Sequence, residues 1–503
     1  MKKAVFALLS AVVALGLPLG AQTADTEIDR ESKLRFPESA NSGKLPDYME
    51  RDPEPDYRHA SAAAYQAFRD IKYGVRIHWG LYSLLPAAAE SWSFLPMNNE
   101  ERQVYQERYQ TWNPQGFNAE EWMGFFNRAG FRSFAITTKH HDGFSLWDTK
   151  TRVRQRTNWT APGGPGIESC DLAYSIMETP FKRDVIKELC DAARRHDIKI
   201  DLYFSHPDWY DADFRPCVWH PLQTGNAGKG SIKELEKRQR RPATLHPDRT
   251  PKETARMIAR HREQLRELLT NYGKIDMVCL DMWLDAEVWP DLRETIKEMR
   301  RLQPDVMFRN RGIGNYGDYH TPERVVPSGK SEQEMPWMVI YPLGRNFSWE
   351  GDGSKYKGAK WVVRNLADSV AKGGNFMVGI GPDGNGRFHP TAIQQLEEVG
   401  AWLKVNGEGI FSTQARPGDL WHEGDDVRFT ESKDRKTVYA ILLRRPDAPV
   451  DLKTIQPVPG SKVTLLGYQG ELKWQTASEG VSIEFPSAAP DAIAHVLKIQ
   501  ARQ

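Results

Sequence analysis

From about residue 60 to residue 405 of the 503-residue chain, short apolar runs alternate with longer amphipathic segments. The runs Gly74-Val75-Arg76-Ile77, Phe134-Ala135-Ile136-Thr137, Ile200-Asp201-Leu202-Tyr203-Phe204, Met277-Val278-Cys279-Leu280, Val306-Met307-Phe308 and Phe376-Met377-Val378-Gly379-Ile380 have the length and composition of buried strands. Helical periodicity fills residues 119–129, 183–195, 252–272, 292–302 and 360–372 between them. Parallel neighbours need long crossovers, so this alternation predicts an α/β architecture, a (β/α)8-like barrel over residues 59–410. Past Thr413 the pattern changes to short strands separated by turn residues, including Val427-Arg428-Phe429-Thr430, Lys462-Val463-Thr464-Leu465-Leu466 and Val481-Ser482-Ile483-Glu484-Phe485. That predicts a C-terminal antiparallel β-sandwich over residues 411–503. Residues 150–180, with Pro162-Gly163-Gly164-Pro165-Gly166, lack apolar periodicity and read as a loop inserted above the strand face, and residues 222–250 form a second polar insertion.

The N-terminus has a different pattern. Lys2 and Lys3 precede an apolar stretch that ends in Gly20-Ala21, which reads as a secretory signal over residues 1–21. A charged, proline-containing leader follows over residues 22–58, read as loosely ordered. A periplasmic or secreted protein is implied, and no later segment is long and apolar enough to predict a membrane span. A net charge of +1 gives no support for a nucleic-acid or anionic-membrane partner. Hydrophobic residues at 40% suffice for a large core, which also accounts for most of the 16 tryptophans, although exposed indoles can stack on sugars. The four cysteines lack metal-ligand spacing. Cys190 and Cys279 fall in apolar segments that suit buried thiols, whereas Cys170 and Cys217 fall in loop-like sequence where an oxidising compartment permits a disulfide.

The predicted strands end in a consistent kind of chemistry. The first runs into His78-Trp79-Gly80, with Glu90 and Trp92 in the loop beyond. The second delivers Lys139-His140-His141-Asp142, and the third Tyr203, Ser205, His206, Asp208 and Trp209. The fourth ends in Asp281, with Trp283 close behind, and the fifth leads to Asn310-Arg311 and then to Asp318-Tyr319-His320-Thr321-Pro322-Glu323. A parallel barrel gathers such strand ends on one rim. Two carboxylates flanking a glycosidic bond can cleave it, one attacking the anomeric carbon and the other protonating the leaving oxygen. A strand-end position suits Asp281 as the rigid nucleophile, and a loop suits Glu323 as the acid. A metal-dependent reading of His78, His140 and His141 has no HExxH spacing behind it, and successive strand residues point to opposite faces, so no metal is expected. Two GxGxxG segments, from Gly312 and from Gly379, read as turns, and Pro382 removes an amide a phosphate would need, so no cofactor is expected.

Ile77-His78-Trp79-Gly80-Leu81-Tyr82-Ser83, Thr138-Lys139-His140-His141-Asp142-Gly143-Phe144, the Asp208-Trp209 segment, Val405-Asn406-Gly407-Glu408 and the closing sandwich together resemble the family 29 glycoside hydrolases, the α-L-fucosidases, over about residues 60–500. The resemblance implies cleavage of terminal α-L-fucose with retention through a covalent fucosyl-enzyme, on a barrel followed by a sandwich, without metal or cofactor. It places the nucleophile on Asp281 and the acid/base on Glu323. It makes His78, His140 and His141 hydroxyl ligands, Arg311 a sugar-binding cation and Tyr203 a neighbour of the nucleophile, with Glu90, Trp92 and Trp283 completing the substrate set. Two departures stand out: Ser91 separates Glu90 from Trp92, and Glu332 and Glu334 compete with Glu323 for the acid role. The implied partner is a fucosylated oligosaccharide or glycoconjugate. The alternatives are a glycan-binding protein with impaired catalysis and a hydrolase of a related sugar such as α-L-galactose.

Overall fold

Seven strands make one parallel sheet in a computed structural model that describes residues 34, 35, 37, 45–86, 88–216, 220–222, 246–328 and 335–502. In chain order the strands of this part of the molecule are β1 Tyr73–Ile77, β2 Ser133–Lys139, β3 Val153–Asn158, β4 Gly166–Leu172, β5 Lys199–Ser205, β6 Met277–Asp281, β7 Met307–Phe308, β8 Met338–Pro342 and β9 Asn375–Ile380. The sheet order is β7-β6-β5-β2-β1-β9-β8, with every neighbouring pair parallel. All residues of β1, β2, β6 and β9 are buried, which is why these strands read as unbroken apolar runs rather than as alternation. The signal over residues 1–21, Cys217, Glu332 and Glu334 lie outside the described residues, while Cys170, Cys190 and Cys279 are free thiols.

The ring closes between β7 and β8 through residues 319–323, which form no regular strand. Parallel bridges pair Arg309 with Tyr319, His320 with Trp337 and Glu323 with Ile340. The amide of Asn310 donates to Tyr319 O (3.0 Å), that of Met338 to His320 O (3.1 Å) and that of Ile340 to Pro322 O (3.0 Å). Pro322 has no amide hydrogen, so the ladder is interrupted there. An eightfold strand arrangement therefore exists, with its sixth member irregular. Crossover helices Ala119–Arg128, Val185–Arg195, Pro251–Thr270, Trp289–Leu302 and Ala359–Ala371 surround the sheet as the periodicity predicts, and Ala62–Arg69 and Pro390–Asn406 add to them. Pro251–Thr270 begins with a reciprocal cap: the Glu253 amide donates to Thr250 Oγ1 and the Thr250 amide to the Glu253 carboxylate.

Two segments differ from the sequence reading. Residues 150–180 contain an antiparallel hairpin, β3 with β4, rather than an unstructured loop. Its faces are polar and half-exposed, held by pairs such as Arg156 Nε–Glu168 Oε1 (2.7 Å), so no apolar alternation announces it. The described part of the leader lies against the barrel: Tyr48 donates to Leu284 O and Tyr57 to Tyr316 O, each at 2.6 Å. The C-terminal region is a two-sheet sandwich whose core combines Phe429, Val438 and Leu497 of one sheet with Leu452 and Ile483 of the other. It docks on the barrel helices through Trp402 Nε1 to Ala494 O (2.8 Å) and Arg428 Nε to Asp368 (2.6 Å).

Asp318 anchors the closing segment. Its Oδ1 accepts from Ala60 N, Tyr65 OH and His59, and its Oδ2 from Arg300 Nη2 (2.5 Å) and Phe308 N (2.7 Å). Burial would raise its pKa, but Arg300 and these donors hold it well below the usual carboxylate range. The stabilisation is therefore present at neutral pH and is lost as pH falls through the depressed value. Denaturant unfolding of Asp318→Ala at pH 7 should show a loss of about 3–5 kcal/mol, because Arg300 is left as a buried unpaired cation. A loss under about 1 kcal/mol would mean that the network is not an anchor.

Candidate active site

Asp281 is the last residue of β6 and is buried. Tyr203, on the neighbouring strand β5, donates its hydroxyl to Asp281 Oδ2 at 2.7 Å. Oδ1 accepts from Arg311 Nη1 (3.0 Å) and from the Met282 amide (3.1 Å), with Arg309 Nη1 at 3.4 Å. Burial alone would raise the acid's pKa, but Arg309 and Arg311 outweigh it and hold Asp281 well below the ordinary range. Its charged form is therefore the favoured one. Arg309 follows β7 directly and Arg311 stands in the turn after it, where Ile313 N donates to Asn310 O, and both guanidinium groups converge on Asp281. Sequence reasoning had passed over Arg309.

The second nitrogen of the same guanidinium reaches the other carboxylate: Arg311 Nη2 lies 3.1 Å from Glu323 Oε2. Asp281 and Glu323 thus face each other across the width of one guanidinium. Their surroundings differ, since the Glu323 side chain is 36% exposed and that of Asp281 12%. One carboxylate is sunk in the barrel mouth, and the other stands at its rim, open to solvent. The backbone turns sharply directly after each, with φ of 67° at Met282 and 59° at Arg324, and Glu90 is also left-handed at 48°. Such strain in non-glycine residues, about 1–3 kcal/mol apiece, concentrates where structure serves function.

The histidines come together as well. β2 shifts register between Thr137 and Lys139 and ends at Lys139, so His140 and His141 no longer alternate across a strand. Their ring centroids are 4.2 Å apart. His140 stacks on Tyr203 (5.3 Å, 8° between planes), and His78 stacks on Phe347 (5.1 Å). Burial lowers the pKa of all three, to about 4 for His141, so they are neutral at pH 7 and act through hydrogen bonds rather than charge. Trp92 packs edge-on to His141 (4.9 Å) and to Trp209 (5.4 Å). Trp283, two residues beyond Asp281, is half-buried. Of the further residues that touch these rings, the sequence reading noted Ser205 only as one of the polar strand-end residues and Ser91 only as a spacer between Glu90 and Trp92, and it passed over Phe347, because an isolated phenylalanine in a loop is unremarkable. Gly312 belongs to one of the GxGxxG segments. It has a φ of 81°, and a Cβ on it would meet His206 at 2.3 Å and Met282 O at 2.4 Å. The glycine is explained by close packing behind Arg311. Among the described residues, no group of three or more His, Cys, Asp or Glu side chains is arranged to hold a metal ion.

Glu90 braces the opposite wall. One of its carboxylate oxygens accepts from the amides of Phe347 (2.7 Å) and Ser348 (2.9 Å), fixing the loop that carries Phe347 under His78.

Comparison with known proteins places these features in context. A family model described as alpha-L-fucosidase matches residues 50–408, and one described as the alpha-L-fucosidase C-terminal domain matches residues 423–500. Tissue alpha-L-fucosidase of Homo sapiens is 27% identical over 459 residues, which span 85% of this chain and 86% of that protein. Among solved structures, alpha-L-fucosidase isoenzyme 1 from Paenibacillus thiaminolyticus is similar with a TM-score of 0.70 at 27% identity, covering 88% of this chain and 99% of its own. A GH29 alpha-L-fucosidase from Bacteroides thetaiotaomicron, solved as a trapped covalent intermediate with 2-fluoro-fucosyl fluoride, shares the fold with a TM-score of 0.69 at 22% identity, covering 92% of this chain and 100% of its own.

Burial raises the pKa of Glu90 to about 7, against the two amides that favour its anion. A raised value means that the stability Glu90 contributes is full below about 4.5 and is lost as pH rises through about 7. Glu90→Gln keeps an acceptor for both amides and does not titrate. Wild type and variant should therefore unfold alike near pH 4.5, and the variant should gain by up to about 3 kcal/mol by pH 8. Parallel stability curves across that window would show that Glu90 is ionised throughout.

Proposed function

The chain belongs to the α-L-fucosidases of glycoside hydrolase family 29, and we propose that it removes terminal α-L-fucose with retention, using Asp281 as nucleophile and Glu323 as acid/base. The observation that carries the assignment is the single Arg311 guanidinium spanning both carboxylates, 3.0 Å from one and 3.1 Å from the other. A retaining glycosidase needs two carboxyl groups on either side of one anomeric centre and close together. The trapped covalent intermediate of the Bacteroides relative supports the same course here.

In the first step an oxygen of Asp281 forms a bond to C1 of fucose as the glycosidic bond breaks, and the Glu323 proton goes to the departing oxygen. In the second step Glu323, now a carboxylate, takes a proton from water. The resulting oxygen bonds to C1, and Asp281 is released as an anion. Arg309 and Arg311 favour the charged nucleophile before attack and after release, and the Tyr203 hydroxyl aims one of its oxygens. Neutral His78, His140 and His141 serve as hydroxyl ligands, with Trp92 and Trp283 as apolar walls for the sugar and Glu90 shaping the loop opposite. The substrate is a fucosylated oligosaccharide or glycoconjugate, met in the periplasm or outside the cell if residues 1–21 act as a signal, and water is the final acceptor of the fucosyl group.

Asp281→Ala should lower turnover of an aryl α-L-fucoside by on the order of 10^3 or more, and added azide should restore it with β-L-fucosyl azide as product. Activity near wild type would reject Asp281. Glu323→Gln should slow natural glycosides by about 10^2–10^4 while sparing substrates whose leaving groups need no proton. An equal loss on both would move the acid role toward Glu332 or Glu334. A wild-type protein that turns over no α-L-fucoside would overturn the proposal as a whole.

A further inference from the structure

Ser205 ends β5 and is fully buried. Its hydroxyl donates to the carbonyl oxygen of Pro207 at 2.9 Å, an atom that can only accept. The same hydroxyl oxygen lies 2.7 Å from Nδ1 of His141. A serine has one hydroxyl hydrogen, and here it is already engaged, so the contact to His141 is a hydrogen bond only if Nδ1 is the donor. A neutral imidazole protonated on Nδ1 has a bare lone pair on Nε2. The ring is also held in place: its backbone oxygen accepts from the Trp209 amide (2.8 Å), and the rings of Trp92 and Trp209 lie 4.9 and 5.2 Å away. Nε2 makes no hydrogen bond to the protein among the described residues. The charges of Asp281, Arg311, Lys139 and Glu323 all act on this ring, which puts it beside the reacting centre.

Neither neighbouring histidine is committed in this way. Nδ1 of His140 meets the Ser91 hydroxyl, whose hydrogen is not claimed by a second acceptor among the described residues, and Nδ1 of His78 is buried without a partner. We propose that Ser205 is a positioning residue that fixes His141 as its Nδ1–H form, so that Nε2 reads one substrate hydroxyl strictly as a hydrogen-bond donor. Identifying that hydroxyl as one of fucose rests on the fucosidase reading. The state of the ring does not. A protein group that donates to a sugar oxygen still finds an acceptor of sorts in a fluorine replacement, whereas a bare lone pair finds nothing in fluorine or in hydrogen. At the position that His141 reads, fluorination should therefore be as damaging as deoxygenation.

Two measurements on the full-length protein test this. The first is two-bond 1H–15N spectroscopy of 15N-histidine-labelled protein between pH 6 and 8, with the His141 signals identified by their loss in His141→Gln. It should show a proton on Nδ1 and none on Nε2, and Ser205→Ala should redistribute the tautomers. An Nε2–H signal from His141 in the wild type overturns the proposal, whatever the substrate is. The second is competitive inhibition by L-fucose and its monodeoxy and monodeoxyfluoro analogues. One position should lose about tenfold or more in affinity on either replacement, and that penalty should shrink to about threefold or less in Ser205→Ala, with KM rising more than kcat falls. Fluoro analogues that bind within about threefold of fucose at every position overturn it as well. If the wild type neither binds nor cleaves fucosides, the fucosidase reading fails, and the spectra alone decide the role of Ser205.

Discussion

Asp318 is the constraint on which the active rim depends, because it ties the irregular strand that completes the barrel to both a helix and a neighbouring strand. Pro322 breaks the ladder of that strand, so main-chain hydrogen bonds alone hold it less well than its neighbours. The carboxylate of Asp318 compensates by taking five donors, from residues before and within the helix Ala62–Arg69, from Arg300 on the helix Trp289–Leu302 and from Phe308 at the end of β7. Arg311 lies seven positions before this anchor and Glu323 five after it, as the numbering shows. Both ends of the Arg311–Glu323 contact thus hang from one buried acid. A shift of the segment would carry Glu323 away from Asp281 while leaving Asp281 where β6 puts it.

A second constraint is electrostatic. Burying an aspartate is costly unless its charge is met, and Arg309 and Arg311 meet that of Asp281 from one side while Tyr203 holds the other oxygen. Below them, Arg76 and Arg309 both turn toward the Cys279 sulfur, so the polar interior of the barrel continues beneath the site. The three rim histidines face this field as neutral rings, first because burial disfavours their charged form and then because Arg76, Arg309 and Arg311 add repulsion. The site therefore separates its functions by burial. Charge is concentrated on Asp281 and its arginines, while the neutral rings beside them take their direction from serine and aromatic neighbours.

Much of this was legible in the chain. The six runs from Gly74 to Ile380 are strands, and the five helical segments between them are helices, because a parallel sheet buried on both faces writes itself as apolar runs with crossovers between. The Asp281, His140 and Arg311 positions were legible for the same reason: they stand where strands of that kind must emerge. Less visible were β8, which ends in Pro342, the closing residues 319–323, and the β3–β4 hairpin, whose stability comes from ion pairs rather than an apolar face.

By itself, then, the sequence determined the barrel, the sandwich and the identity of the polar groups delivered to the rim, since each follows from local periodicity and the parity of strand positions. Only the tertiary structure decided how those groups relate. It put one guanidinium between Asp281 and Glu323, turned His140 and His141 to the same side where β2 ends, committed Glu90 to a loop some 257 residues away, and left His141 facing a serine whose proton was already engaged. Each of these is a contact between segments distant in the chain. Distances and the direction of a hydrogen bond depend on the relative placement of strands, which no local pattern encodes.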